Sequence, residues 1–252
     1  MPEFGGQTII ITGAGAGIGR ALAAGFVGRG AHVVAISRSA PGLEETRHRC
    51  AGPGTIECHV VDVSDAVAVE QLFSNVVRER GGVDLLINNA AVYPHQVLSE
   101  MTPPEWTAGV ATNLGGVVFG CRAAVRTFPA GRRAVILNVG SFAHLGPDKG
   151  SSLYCTTKAA VSAFTRAIAA ELSTLGSSLI VNEWIPGVFR TQMSGNTGED
   201  PGVAFERLLT VCELSKLGVG GRTFVGDAEH LPPRSLKSRV KSRLLSLLRG
   251  RK

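Results

Sequence analysis

Aromatic side chains are scarce in this chain: 252 residues hold two tryptophans, two tyrosines and ten phenylalanines. Tyr93 and Tyr154 are therefore its only phenols. Cysteine is sparse too. Cys50, Cys58, Cys121, Cys155 and Cys212 are odd in number and form no close sequence pair. That excludes a disulfide framework and a zinc-type ligand spacing, and it makes the reducing cytoplasm the expected compartment. No unbroken run of 18 apolar residues occurs, so no spanning helix is expected. The opening residues 1–7 carry no basic side chain, and the apolar run Thr8–Thr12 is too short for a signal peptide.

One stretch is densely basic and holds no acid. Residues 234–252 contain eight Lys and Arg and no Asp or Glu, whereas the whole chain has a net charge of +6. Without that stretch, 18 basic residues face 20 acidic ones, a net of −2. The basicity belongs to a tail, which argues against a nucleic-acid-binding body. The composition breaks at Leu231-Pro-Pro, so the expected division is one domain over 1–230 and a tail over 231–252.

What is present is alternation. Short β-branched runs fall at Thr8–Thr12, His32–Ser37, Ile56–Val61, Val83–Asn88, Ala134–Val139, Leu179–Trp184 and Thr223–Val225. Helix-period segments lie between them near 18–29, 42–50, 66–80, 103–128, 152–175 and 201–213. The strand cores do not alternate polar with apolar, as expected when helices cover both sheet faces. Such repetition predicts an α/β fold: a doubly wound parallel sheet of about seven strands.

Thr12-Gly-Ala-Gly-Ala-Gly-Ile-Gly19 follows the first strand and opens the first helix. Glycines there let backbone N–H groups approach a diphosphate, and the helix start favours its charge. A glycine turn that merely packs a helix on a sheet is the plain alternative. The second strand ends in Ser37-Arg38. An acid at this place would hold a ribose 2′-hydroxyl and select NAD; Ser37 and Arg38 instead suit a 2′-phosphate and select NADP. The plain alternative is a solvated Arg38.

Tyr154-Cys-Thr-Thr-Lys158 puts a phenol and an ammonium one helical turn apart. A phenol near pKa 10 works poorly at neutral pH, and lowering it by about 3 units needs about 4 kcal/mol. One cation about 4 Å away supplies roughly that at an effective dielectric of about 20.

Together, Thr12–Gly19, Asn88-Asn-Ala-Ala91, Asn113, Ser141, Tyr154-x-x-x-Lys158 and Pro186-Gly187 resemble the short-chain dehydrogenase/reductase family over about residues 5–230. The resemblance implies a Rossmann-type fold and NAD(P)-dependent hydride transfer at a carbonyl or alcohol carbon. It implies that Tyr154 is the general acid, that Lys158 binds ribose and depresses the tyrosine pKa, that Ser141 bonds the substrate oxygen, and that Asn113 anchors a proton-relay water. It further implies cofactor contacts from Gly13, Gly17, Ile18, Gly19, Asp62, Val63, Asn89, Ala90, Gly187, Phe189 and Thr191. Substrate walls are expected from Tyr93–Gln96, Phe142–Leu145, Trp184 and Phe189–Asn196. A homodimer through the helix bearing Tyr154 is the expected assembly. His95 and His144 have no second ligand at helical spacing, so no metal is expected.

Three departures stand out. Ala91 replaces the commoner glycine. Glu183 is an acid where a small apolar residue is usual. The end of the chain is Pro232-Pro233 and the basic tail, which puts tetramer formation in doubt. On a helix, Leu236, Val240, Leu244, Leu247 and Leu248 fall on one side. That stripe suits either contact with an anionic membrane surface or packing on the body.

The expected function is an NADP-preferring carbonyl reductase or alcohol dehydrogenase acting on a small to medium organic substrate. Two rivals remain. A catalytically silent dinucleotide sensor would not need the proton-transfer group, and Asn113, Ser141, Tyr154 and Lys158 are all retained. Sugar-nucleotide epimerases and dehydratases also use Tyr-x-x-x-Lys, but they are longer and space the first glycines differently.

Overall fold

A computed structural model describes residues 3–143, 145–216, 218 and 220–231. The basic amphipathic stripe beyond Leu231 and His144 lie outside the described residues. In chain order come β1 (Thr8–Thr12), α1 (Gly17–Gly28), β2 (His32–Ser37), α2 (Ala40–Arg49), β3 (Thr55–Val60), α3 (Ala66–Arg80) and β4 (Leu85–Asn88). Next are α4 (Pro103–Val110), a π turn (Ala111–Gly115), α5 (Gly116–Thr127), β5 (Ala134–Val139), α6 (Ser152–Thr174) and β6 (Leu179–Ile185). A 3₁₀ turn (Gln192–Ser194), α7 (Gly202–Lys216), β7 (Thr223–Val225) and β8 (Ala228–Glu229) complete it. The expected strands are all there, with ends shifted by a residue or two and the short β8 added.

The strands form one sheet in the order β3-β2-β1-β4-β5-β6-β7-β8. All neighbours are parallel except β7 and β8. The order reverses between β1 and β4, so the crevice at their carboxyl ends is where a doubly wound sheet receives a ligand.

Each sheet face has its own core. On one face Ile9, Ile11, Val33, Leu137 and Trp184 pack with Phe26 of α1 and Phe205 of α7. On the other, Ile10, Val34, Leu86, Ile136 and Val181 meet Phe73 of α3, Cys121 of α5 and Val161 of α6. Strands covered twice need no polar alternation, and β1, β4 and β5 are buried throughout. The continuous helical run Pro103–Thr127 is long and apolar enough by composition to cross a bilayer, although polar residues interrupt it. Half of its most apolar window is buried inside the fold.

Candidate active site

The glycine turn joins β1 to α1. Gly13 and Gly17 have φ of +68° and +51°, the left-handed region that glycine enters without steric cost. α1 begins with no side-chain cap and no acid in its first turn, so its leading N–H groups and positive dipole end remain for an anion. Arg20 braces the turn from α1 by donating to the Gly15 carbonyl oxygen and to Thr46 Oγ1. Thr12 ties β1 to the end of β4: Asn89 N and Ala90 N donate to its Oγ1 at 2.9 and 3.1 Å.

A cavity of about 240 Å³ opens beside the turn, lined by Gly13, Ser37, Arg38, Val61, Val63 and Ala90 among others. Its lining of apolar side chains and polar groups at a glycine turn is of a kind that could hold an adenosine. Arg38 lies at the rim with Nη1 3.6 Å from Asp62 Oδ2. Burial would raise the Asp62 carboxyl, but hydrogen bonds from Ser64 and the nearby Arg38 hold it below the usual carboxylate range.

Past the carboxyl ends of β4 and β5 lies a second constellation. Tyr154 and Lys158 sit on successive turns of α6, and Ser141 follows β5. The Ser141 and Tyr154 side chains are hydrogen-bonded. Asn113 is fully buried within the π turn. Its Oδ1 accepts from Val92 N at 2.7 Å, and its Nδ2 donates to Val92 O and to Thr157 Oγ1 at 2.9 and 3.1 Å. It thereby fastens the loop after β4 to the helix bearing Tyr154. Lys158 is 2% exposed, and its Nζ donates to Val139 O at 2.7 Å. Burial pushes its pKa down to about 8, while Glu183 pulls it upward.

The family model of the short chain dehydrogenases matches residues 7–202. This chain belongs to that family. An L-xylulose reductase from Mesocricetus auratus is 36% identical over 197 residues, 78% of this chain and 77% of the relative. The probable oxidoreductase EphD of Mycobacterium tuberculosis strain H37Rv is 36% identical over 208 residues, 81% of this chain. That stretch is 35% of EphD, so the chain spans about a third of this relative's length. Among solved structures, a short chain dehydrogenase from Burkholderia cenocepacia in complex with NADP superposes with a TM-score of 0.79 at 25% identity. The superposition covers 89% of this chain and 97% of that one.

Against this short-chain dehydrogenase frame, several expected placements change. The Tyr154 phenol is raised by burial, aided by Tyr93 and Cys155 and opposed by the Ser141 hydrogen bond. The Lys158 ammonium, expected to depress it, bonds the Val139 carbonyl oxygen and stands 5.7 Å from the Tyr154 ring centroid. Trp184, expected in the substrate wall, is fully buried and donates from Nε1 to Gly226 O at 2.8 Å. Alternation along β6 turns it to the α1–α7 face. The Phe189 ring likewise belongs to that core, under the Arg207 guanidinium, so only its backbone can face the cleft. Gly187 holds a left-handed φ of +109° beside it. Thr191 meets the glycine turn, with its Cγ2 3.0 Å from where a Gly17 Cβ would stand. Ile18 packs partly on the core.

Sequence reasoning missed how the two tyrosines meet. Tyr93 stacks on Tyr154 with centroids 4.6 Å apart, and His95 stacks on Tyr93 at 3.6 Å. His95 Nε2 reaches Met193 O at 3.0 Å, joining this wall to the 3₁₀ turn. The scarcity of phenols was the available signal. Asn88 and Asn138, side by side in register and bonded at 2.9 Å, were also missed, because buried polar pairs leave no periodic trace.

Proposed function

We propose that this chain is an NADP(H)-preferring oxidoreductase that interconverts a carbonyl and an alcohol on a small to medium organic molecule, with residues 1–230 acting as one catalytic unit. The observation that carries the reading is the cluster of half-buried Ser141 and Tyr154 with buried Lys158 past the strand ends. Gly13, Gly17, Gly19 and the start of α1 would hold the diphosphate. Val63, Asp62, Asn89 and Ala90 would flank the adenosine, and Ser37 with Arg38 would take the 2′-phosphate. Gly187, Thr191 and the Phe189 backbone would border the nicotinamide end.

When bound, the nicotinamide supplies or accepts the hydride. Burial keeps the Tyr154 phenol protonated at neutral pH, so it enters the cycle as an acid and suits carbonyl reduction. Ser141 Oγ donates to the substrate oxygen and aligns it with the phenol. As Tyr154 passes its proton to that oxygen, the Lys158 ammonium offsets the growing phenolate charge. The Asn113 side chain is occupied by Val92 and Thr157, so anchoring of a relay water falls to the backbone of the π turn.

The test separates binding from turnover. Tyr154→Phe keeps NADPH affinity, read by fluorescence titration, and loses ketone reduction, because only the transferable proton is removed. Retention of more than about a tenth of wild-type activity, a barrier change under about 1.4 kcal/mol, overturns the assignment of Tyr154.

A further inference from the structure

Glu183 is a carboxylate in the interior. It projects from β6 toward α6, is 2% exposed, and stands beside Asn138 of β5 in the sheet register. Ser162 Oγ donates to its Oε1, and Thr223 Oγ1 donates to its Oε2 at 2.9 Å. Ser162 lies one turn beyond Lys158 on the same helix. The carboxylate also fills the space under the segment that carries Ser141: a Cβ on Gly140 would meet Oε1 at 2.2 Å. Two hydroxyl donors and a glycine thus make room for an anion where the sheet would otherwise be apolar.

Lys158 explains why such an anion is tolerated. Among the described residues the Lys158 ammonium donates to the Val139 carbonyl oxygen and lies over the Tyr154 ring, and burying a charge on neutral partners of this kind is strongly unfavourable. Around it are the Tyr154 ring on its own helix, the Val139 carbonyl on β5 and Glu183 on β6, which acts on it through its charge and is placed by the Ser162 bond one turn along α6 and by its contact with Gly140, next to Val139. Of these, Glu183 is the only one that can carry a negative charge in the ground state at neutral pH.

We infer that Glu183 is a positioning residue, the buried counter-charge that keeps Lys158 protonated beside the proton donor. The inference rests on the proposed role of Lys158. Burial alone would carry Lys158 below its value of about 8, and Glu183 opposes that loss. Removing the carboxylate therefore moves the lysine further down, so that the cation is lost at a lower pH.

The experiment reads Lys158 directly in the full chain without cofactor. Lysine is labelled with ¹³C at Cε, which gives six signals, and the Lys158 signal is assigned by its loss in Lys158→Met. In Glu183→Gln and Glu183→Ala its inflection falls by about one pH unit or more, a tenfold loss of proton affinity. Glu183→Asp retracts the charge by one methylene and shifts it less, in the same direction. Unchanged inflections in the folded variants overturn the inference, and if the uncharged variants do not fold, an unmoved Glu183→Asp overturns it. NADPH fluorescence titration of the unmodified chain runs in parallel. Failure to bind refutes the oxidoreductase reading and leaves the coupling standing, whereas an unmoved lysine with normal binding refutes the coupling alone.

Discussion

Arg38 is the side chain on which the proposed NADPH preference rests, and magnitudes bound what it can do. A charge-assisted hydrogen bond to a 2′-phosphate contributes about 1.5–3 kcal/mol, roughly 10- to 100-fold in favour of NADPH. Arg38 is more than half exposed and already faces Asp62 at 3.6 Å. The phosphate must compete with that carboxylate and with water, which places the expected preference nearer tenfold. Arg38→Ala then removes most of the preference and leaves kcat/KM with NADH nearly unchanged. Equal kcat/KM for the two cofactors in the unmodified enzyme refutes the role of Arg38. The type and order of these residues were legible in the sequence; their partners were not. Nothing in the chain order tells that Arg38 leans on Asp62, that Asn113 spends its side chain on Val92 and Thr157, or that Lys158 bonds Val139 O. Those contacts join residues distant in sequence and depend on how strands and helices are packed.

At the scale of elements, periodicity carried most of the information. The strands and main helices follow from apolar runs bounded by glycine and polar turns. The segment 103–128 reads as one helix in sequence, yet a π turn divides it at Ala111–Gly115. One extra residue in a turn leaves the apolar period nearly intact, so the insertion is invisible until Asn113 is seen bonded across to Val92 and α6. β8 escapes for a simpler reason, since two residues carry no pattern. Helix contacts follow a different signal. α1 approaches α7 at Gly25, where a Cβ would come within 2.3 Å of the Phe205 ring, whereas a Cβ on Gly28 would find its nearest neighbour, Ala51 O, at 3.6 Å. Alanine improves helix propensity by about 1 kcal/mol at either position. At Gly25 the displaced ring costs about 1–3 kcal/mol, toward the upper end for so short an approach. Gly25→Ala therefore destabilises by about 1–2 kcal/mol and Gly28→Ala does not, as denaturant melts of the two variants will report. Equal midpoints for both variants and the wild type would show that α1 is not held tightly against α7.

At the scale of the whole molecule, α6 has an outer face that no other described residues cover. α6 buries Val161, Thr165, Ala169 and Leu172, but it turns Thr156, Ala163, Arg166, Ala167 and Ala170 outward. Most of these are small, and small side chains let two helix backbones approach closely enough for dispersion contacts to accumulate. In a two-fold dimer the same strip would meet itself, so that α6 of each copy is braced on the side opposite its core. Because Tyr154 and Lys158 lie on that helix, pairing would also stiffen the element that aims the proton donor. The expected assembly is a homodimer, and light scattering at micromolar concentration should give twice the chain mass. Ala163→Arg places a long cation in the middle of the strip and should yield a monomer, while far-UV circular dichroism stays that of the unmodified chain. A monomeric mass for the unmodified chain would mean that the strip is simply solvated. A dimer that survives Ala163→Arg would place the interface on another face and leave α6 rigid through its own packing on the sheet alone.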